Sequence, residues 1–224
     1  CEQVEEVAMR MLWLVTALSV LGGCEANLVG NGDVVEDERL LQSFAAIRTW
    51  GAIRTTITLG IGQDDTVRVR TDRNLTTYID SDVVDGVLEV GGERGRAIEP
   101  TYLELIVTAP TMSSFVSEGW GDMIATGVDA DLVEVAMNGE GQVRLYGTAN
   151  TLSLTSKKVG TFDGRRLVAG EVELELRGNG DTYAYALDAI SGQTYGTGTV
   201  FVHGSPAVID IRDYGGGDVR GDDE

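Results

Sequence analysis

From Gly119 to Val219 the chain alternates apolar and polar residues at period two, the signature of strands. Val143 and Leu145 share one face while Arg144 and Tyr146 share the other; Val200 and Val202 alternate with Phe201 and His203 in the same way. Each run begins at one recurring phrase, Gly-x-Gly-polar. It appears at Gly119 and Gly121, Gly139 and Gly141, Gly178 and Gly180, Gly196 and Gly198, and Gly215 and Gly217, with a degenerate copy at Lys158-Val159-Gly160-Thr161. The starts at 119, 139, 158, 178, 196 and 215 give a period near 20. Strand patterning at that period predicts a solenoid.

A further glycine follows eight residues after several starts, at Gly127, Gly147 and Gly204. A second alternating run then leads to the next phrase, as in Val133–Met137 and Val172–Leu176. One repeat therefore predicts two short strands and two corners, one coil of a β-helix. The paired glycines predict corners built on positive φ. Upstream, residues 40–115 read as irregular first coils that cap the apolar end of the stack, with alternating runs at Ile53–Ile61, Thr66–Arg70, Val87–Val90 and Tyr102–Thr108. The spacing of Leu75, Tyr78, Ile79 and Val83 predicts a helical turn within 74–84, and Gly30-Asn31-Gly32-Asp33 reads as an early copy of the corner phrase.

This all-β, β-solenoid pattern resembles the bacterial head GIN domain family. Phe44–Ile47, Val67–Leu75, Asp85–Val90 and Leu103–Pro110 sit in the family's order ahead of the repeated glycine corners, so the resemblance covers about 30–220. It implies a β-superhelix of autotransporter-adhesin type, with no catalytic residue assigned. The chain departs from the family by placing Trp, Glu, Asn and Thr between the glycines where the family prefers Ser.

The start of the chain predicts export. Residues 1–8 read as preceding the true start at Met9 or Met11; Arg10 is the positive n-region and Leu12–Val20 the apolar core of a signal peptide over 1–23. Leu21-Gly22-Gly23-Cys24 looks like a lipobox, which implies Cys24 as the lipidation site and the membrane as the first partner, with Glu25 favouring the outer membrane. Residues 24–39 read as a polar tether, 40–219 as one solenoid domain with regular repeats over 116–219, and 220–224 as a charged tail. With Cys24 the only cysteine after processing, no disulfide is available.

The net charge of −19, about −17 after residues 1–23 are removed, excludes a basic nucleic-acid footprint. No cofactor is implied. His203 is the sole histidine, so neither a His-based metal site nor a histidine triad is signalled. The Gly-x-Gly phrases lead into strands and are no dinucleotide loops. Asp80-Ser81-Asp82 does not continue as an EF-hand, and Arg220-Gly221-Asp222 reads as a chance integrin-type tripeptide. Neighbouring rungs of Asp122, Gln142, Thr161, Asp181, Thr199 and Asp218 never both carry Asp, which supports the register, and a calcium ladder is disfavoured because the nine-residue period of the calcium-binding β-roll is absent.

Stacking in register turns Met123, Val143, Phe162, Thr182 and Val200 inward. The outward set then includes Tyr146, Tyr183, Tyr185, Phe201 and His203. Two readings of these rings stand: a cover from the N-terminal segment or a loop, or a platform for a glycan or an envelope or surface protein. The opposite sheet presents Glu134, Glu173, Glu175 and Asp210. The resulting expectation is a non-catalytic recognition or adhesion lipoprotein. The rivals are a carbohydrate-active β-helix enzyme, against which the scattered basic residues count, and a purely structural or sensory envelope protein.

Overall fold

The computed structural model describes residues 27–221. The signal peptide, Cys24 and Asp222 lie outside the described residues. The strands run β1 (Leu28–Val29), β2 (Val34–Arg39), β3 (Ala46–Thr49), β4 (Arg54–Leu59), β5 (Thr66–Asp72), β6 (Ile79–Val84), β7 (Val87–Gly92), β8 (Ile98–Glu99), β9 (Leu103–Ala109) and β10 (Ser114–Ser117). The regular part continues with β11 (Met123–Met137), β12 (Gln142–Ser156), β13 (Thr161–Leu176), β14 (Thr182–Thr194), β15 (Thr199–His203), β16 (Val208–Asp213) and β17 (Asp218–Gly221).

The expected solenoid is present, and its regular coils pair in parallel. Met123, Val143, Phe162, Thr182 and Val200 form one inward column, each pairing with the next, and all are buried. Val135 and Leu154 lead Leu174 down a second buried column on the other sheet. A fully buried Val, Leu or Phe contributes about 1.5–3 kcal/mol, so the stacked columns are the main source of stability. Each rung is useful only when covered by the next.

Four details differ from the sequence expectation. First, each coil from β11 to β14 is one long strand rather than two, while the last coil keeps two, β15 and β16. The ladder between β11 and β12 continues through the second corner with a single shift between Thr126 and Val128, where Gly127 adopts φ 77°. Neighbouring coils bend at the same height, so their hydrogen bonds survive the corner as a bulge.

Second, the Gly-x-Gly corners do not rest on positive φ: none of the ten corner glycines at 119, 121, 139, 141, 178, 180, 196, 198, 215 and 217 has it. Their backbones instead lie directly on the preceding coil. A β-carbon at Gly139 would overlap the carbonyl oxygen of Gly119, at Gly178 that of Lys158, and at Gly196 that of Gly178. The corner amides bond down this column, Trp120 N to Gly51 O at 2.9 Å and Glu140 N to Gly119 O at 2.8 Å. Glycine is needed because another backbone occupies the side-chain space.

Third, the corner column begins earlier than the phrase count predicts. Gly119 stacks on Gly51 and Gly121 on Ile53, so Gly51-Ala52-Ile53 is its first rung. Gly30–Asp33 is not a copy; it is a separate turn in which Gly32 has φ 78° and its N–H donates to Asp72.

Fourth, the N-terminal end is a built cap. Residues 28–39 form strands instead of a tether: β1 pairs with β8, and β2 runs antiparallel to β5, which runs antiparallel to β9. The predicted helical turn is a 3₁₀ turn over Arg73–Tyr78, with Leu75 buried. The rest of that stretch is β6, which forms a hairpin with β7 through Asp85 (φ 52°) and Gly86 (φ 78°). At the other end Arg220 and Gly221 belong to β17 rather than to a tail, with Arg220 in register with Phe201.

Candidate functional site

The two sheets present different outer faces. On the sheet opposite the candidate site, Glu134, Ser153, Glu173, Ser191 and Asp210 succeed one another in register. Glu134, Glu173, Glu175 and Asp210 are all exposed, as the alternation predicts. Serine between acids keeps like charges two rungs apart.

The aromatic face is built by β12 to β15 and β17. Tyr146, Tyr183, Tyr185, Phe201 and His203 all point outward and are half-buried, while Ala184, Ala186, Val200 and Val202 between them are buried. Register places Tyr183 beside Phe201 and Tyr185 beside His203. The Tyr183 and Phe201 rings stack with centroids 4.5 Å apart and planes 4° from parallel, and the His203 ring lies 6.4 Å from Tyr183. The cover reading fails for the described N-terminal strands, because β1 and β2 lie on β8 and β5, away from these rings.

The sequence reading missed the cations of this face. Arg165 lies over the Tyr183 ring at 4.9 Å and Arg166 over the Tyr146 ring at 5.7 Å. With Gln142, Arg144 and Asp163 they line a depression of about 580 Å³. The basic residues here are not scattered; they converge. The cause is an irregularity in β13. Arg144 pairs with Asp163 and Tyr146 with Arg166, so two residues of β13 oppose the single Leu145, and the surplus swings Arg165 and Arg166 outward. The only available signal was the longer step of 20 residues from Lys158 to Gly178 against 18 for the next.

Asp163 balances one of these cations. Its carboxylate takes two bonds from the Arg165 guanidinium, at 2.9 and 2.7 Å. The Arg165 hydrogen bond holds the Asp163 carboxyl below its ordinary pKa against the opposing effect of burial, and the same bond raises Arg165. Asp163 is therefore an anion at neutral pH. Arg166 and Arg144 form no ion pair among the described residues.

The ladder after each corner proves to be backbone chemistry. The Asp122 carboxylate accepts from Gln142 N at 3.0 Å and that of Asp181 from Thr199 N at 2.9 Å, each tying its coil to the next. Among the described residues no group of three or more His, Cys, Asp or Glu is placed to hold a metal ion. A second ladder escaped prediction because it sits on the residue before each corner phrase. There Arg177 lies over Tyr195 at 5.1 Å, and Tyr195 stacks on Tyr214 at 5.3 Å. A separate cleft of about 610 Å³ lies near the cap, between Trp50, Arg94, Ile98, Leu103 and Trp120.

The family model described as "Putative auto-transporter adhesin, head GIN domain" matches residues 43–206, and the chain belongs to that family. Among solved structures it is similar to a "putative adhesin" from Bacteroides fragilis NCTC 9343, with TM-score 0.71 and 19% identity over 87% of this chain and 100% of that one. It is similar also to a "Putative lipid binding protein" from Parabacteroides distasonis ATCC 8503, with TM-score 0.53 and 16% identity over 88% and 99% of the two chains. A "putative adhesin" from Parabacteroides merdae ATCC 43184 gives TM-score 0.52 and 16% identity over 86% and 98%. At these identities the likeness is one of fold. No curated protein matches the chain. The family and its neighbours suggest a non-enzymatic protein of the envelope or surface, and no helix among the described residues is long and apolar enough to cross a membrane.

Proposed function

We propose that this member of the head GIN domain family is a non-catalytic recognition module of the bacterial envelope, tethered through lipidated Cys24, that binds acidic glycans on its aromatic face. One observation carries the reading: the half-buried, stacked Tyr183–Phe201 pair stands on the same sheet face as Arg144, Arg165 and Arg166, with Arg165 over the Tyr183 ring. Stacked ring to ring on neighbouring strands, these side chains turn their apolar ring edges outward, a surface for the C–H groups of sugar rings. Arginine forks bind carboxylate or sulfate in bidentate fashion. On a chain of net charge −19, a concentration of cations on one face is the feature that needs a partner.

The geometry gives little support to hydrolysis. The depression contains one carboxylate, Asp163, and Arg165 keeps it ionised. Glycosidases of the usual kind need two carboxyl groups, one of them protonated.

The test is an array of neutral, uronic-acid and sulfated glycans probed with the purified protein. Binding confined to acidic glycans, lost in Tyr183→Ala and weakened in Arg166→Gln, supports the reading. Equal retention on neutral glycans would remove the role of the arginines, and silence across the array would leave the structural account. Shortening of a bound polysaccharide would establish the enzyme reading instead. For the anchor, a Cys24→Ser variant that still partitions with membranes would remove the lipid tether.

A further inference from the structure

The two ends of the stack are finished differently. At the N-terminal end the outermost strands β2 and β6 run antiparallel to their neighbours and close the cap. At the far end β16 pairs with β14 on one side, and no described strand pairs with its other side. Among the described residues its outer edge therefore offers a row of unpaired N–H and C=O groups.

The side chains at this edge are apolar as well as charged. Ile209 continues the column of Val172 and Ile190, which are buried, yet it is itself 53% exposed. Val208 is 53% and Tyr214 61% exposed. Ile211, the next inward residue, packs against the core from the same open end.

We propose that β16 is the interface for a second copy of this chain, pairing antiparallel with its counterpart about a two-fold axis at Ile211. The argument is the charge pattern along the strand. Residues directly opposite in an antiparallel pair lie about 5 Å apart on the same face. Centring the pair on Ile211 sets Asp210 opposite Arg212 of the partner subunit, and the symmetry repeats that contact. It also sets the exposed Val208 opposite Tyr214 of the partner subunit and Ile209 opposite Asp213 of the partner subunit, and joins the two inward Ile211 side chains. Moving the centre to residue 210 or 212 puts Asp210 or Arg212 against its own copy. One register thus sets opposite charges against each other and its neighbours set like charges together, which is how a paired edge excludes misalignment.

The axis runs normal to the sheet. It therefore leaves both aromatic faces on one side of the pair, where two sites can engage one polysaccharide or one surface with gain from avidity. The proposed pairing itself rests on the edge alone and stands apart from the glycan reading.

Sedimentation equilibrium of the purified protein from micromolar to millimolar concentration tests it. The expected result is a reversible dimer. Asp210→Arg and Arg212→Asp, each made alone, place like charges in opposition and weaken the dimer by about tenfold or more. The double variant Asp210→Arg/Arg212→Asp restores the opposite pairs and the dimer. Glu173→Arg, on the same sheet face but away from the edge, leaves the dimer intact. Far-UV circular dichroism confirms that each variant is folded. A monomer across the whole range would overturn the proposal. So would single reversals that leave the mass unchanged, or a double variant that fails to restore it.

Discussion

Glycine does different work in the cap and in the stack. In the cap turns Gly32, Gly86 and Gly95 have φ between 78° and 86°, and a β-carbon added to any of them would meet nothing within 4 Å. These residues are chosen for backbone conformation. In the stack the corner glycines have ordinary φ, and a β-carbon would collide with the coil beneath. They are chosen for proximity. The cap turns are isolated features, each stabilised by its own contacts, while each corner of the stack is also the seat of the next. Damage to one should therefore stay local in the cap and spread in the stack.

The largest effect is expected at the stack. Gly139→Ala forces the Gly119 carbonyl away and costs about 3 kcal/mol, read as a fall of several degrees in melting temperature. A loss below about 0.5 kcal/mol there would mean that the corner column is looser than the structure gives.

Next comes the buried carboxylate that binds the cap together. Asp72 accepts from Gly32 N at 2.6 Å, from Thr101 N at 2.7 Å and from the Thr101 hydroxyl at 2.7 Å. Burial pushes its pKa up, but these hydrogen bonds outweigh that and hold it below 3.8. A folded-state pKa lowered in this way adds stability above the unfolded value, and that stability is lost as pH falls through the folded one. Asp72→Asn should cost about 2 kcal/mol at neutral pH and flatten the acid limb of the stability curve. An unchanged acid limb in the variant would show that Asp72 does not set it.

The smaller test compares substitutions at one cap turn. Gly86→Ala should cost about 1 kcal/mol because alanine resists positive φ. Gly86→Asn should cost less, since asparagine tolerates that region. At Gly139 the order should reverse, with Asn at least as damaging as Ala. Equal ranking of the two substitutions at both sites would erase the distinction. The smallest effect is expected at Gly221, where a β-carbon meets nothing within 4 Å and φ is not positive. Gly221→Ala should leave the melting temperature unchanged within error.

Several levels of the fold were legible because they repeat. The period near 20 gave the solenoid, and alternation gave the buried column from Met123 to Val200 and the outward rings from Tyr146 to His203. Glycine spacing also located the corners, though for a reason that sequence could not express. A positive φ belongs to one residue, whereas the overlap of Gly139 with Gly119 belongs to two residues 20 apart in the chain. The first rung, Gly51–Ile53, was hidden because Ile53 stands in the second glycine's place and the chain detours through 60–110 before returning to cover it.

By itself, then, the sequence determined the parallel coil and its inward and outward faces, since these follow from local alternation repeated at fixed spacing. Tertiary structure alone decided that Arg144, Arg165 and Arg166 share a depression with Tyr146, that the segment before Leu40 closes the cap, and that no described strand covers the outer edge of β16. These depend on a bulge, on antiparallel returns and on the order of strands in a sheet. All three arise from contacts between distant residues, which no local pattern of apolar and polar positions records.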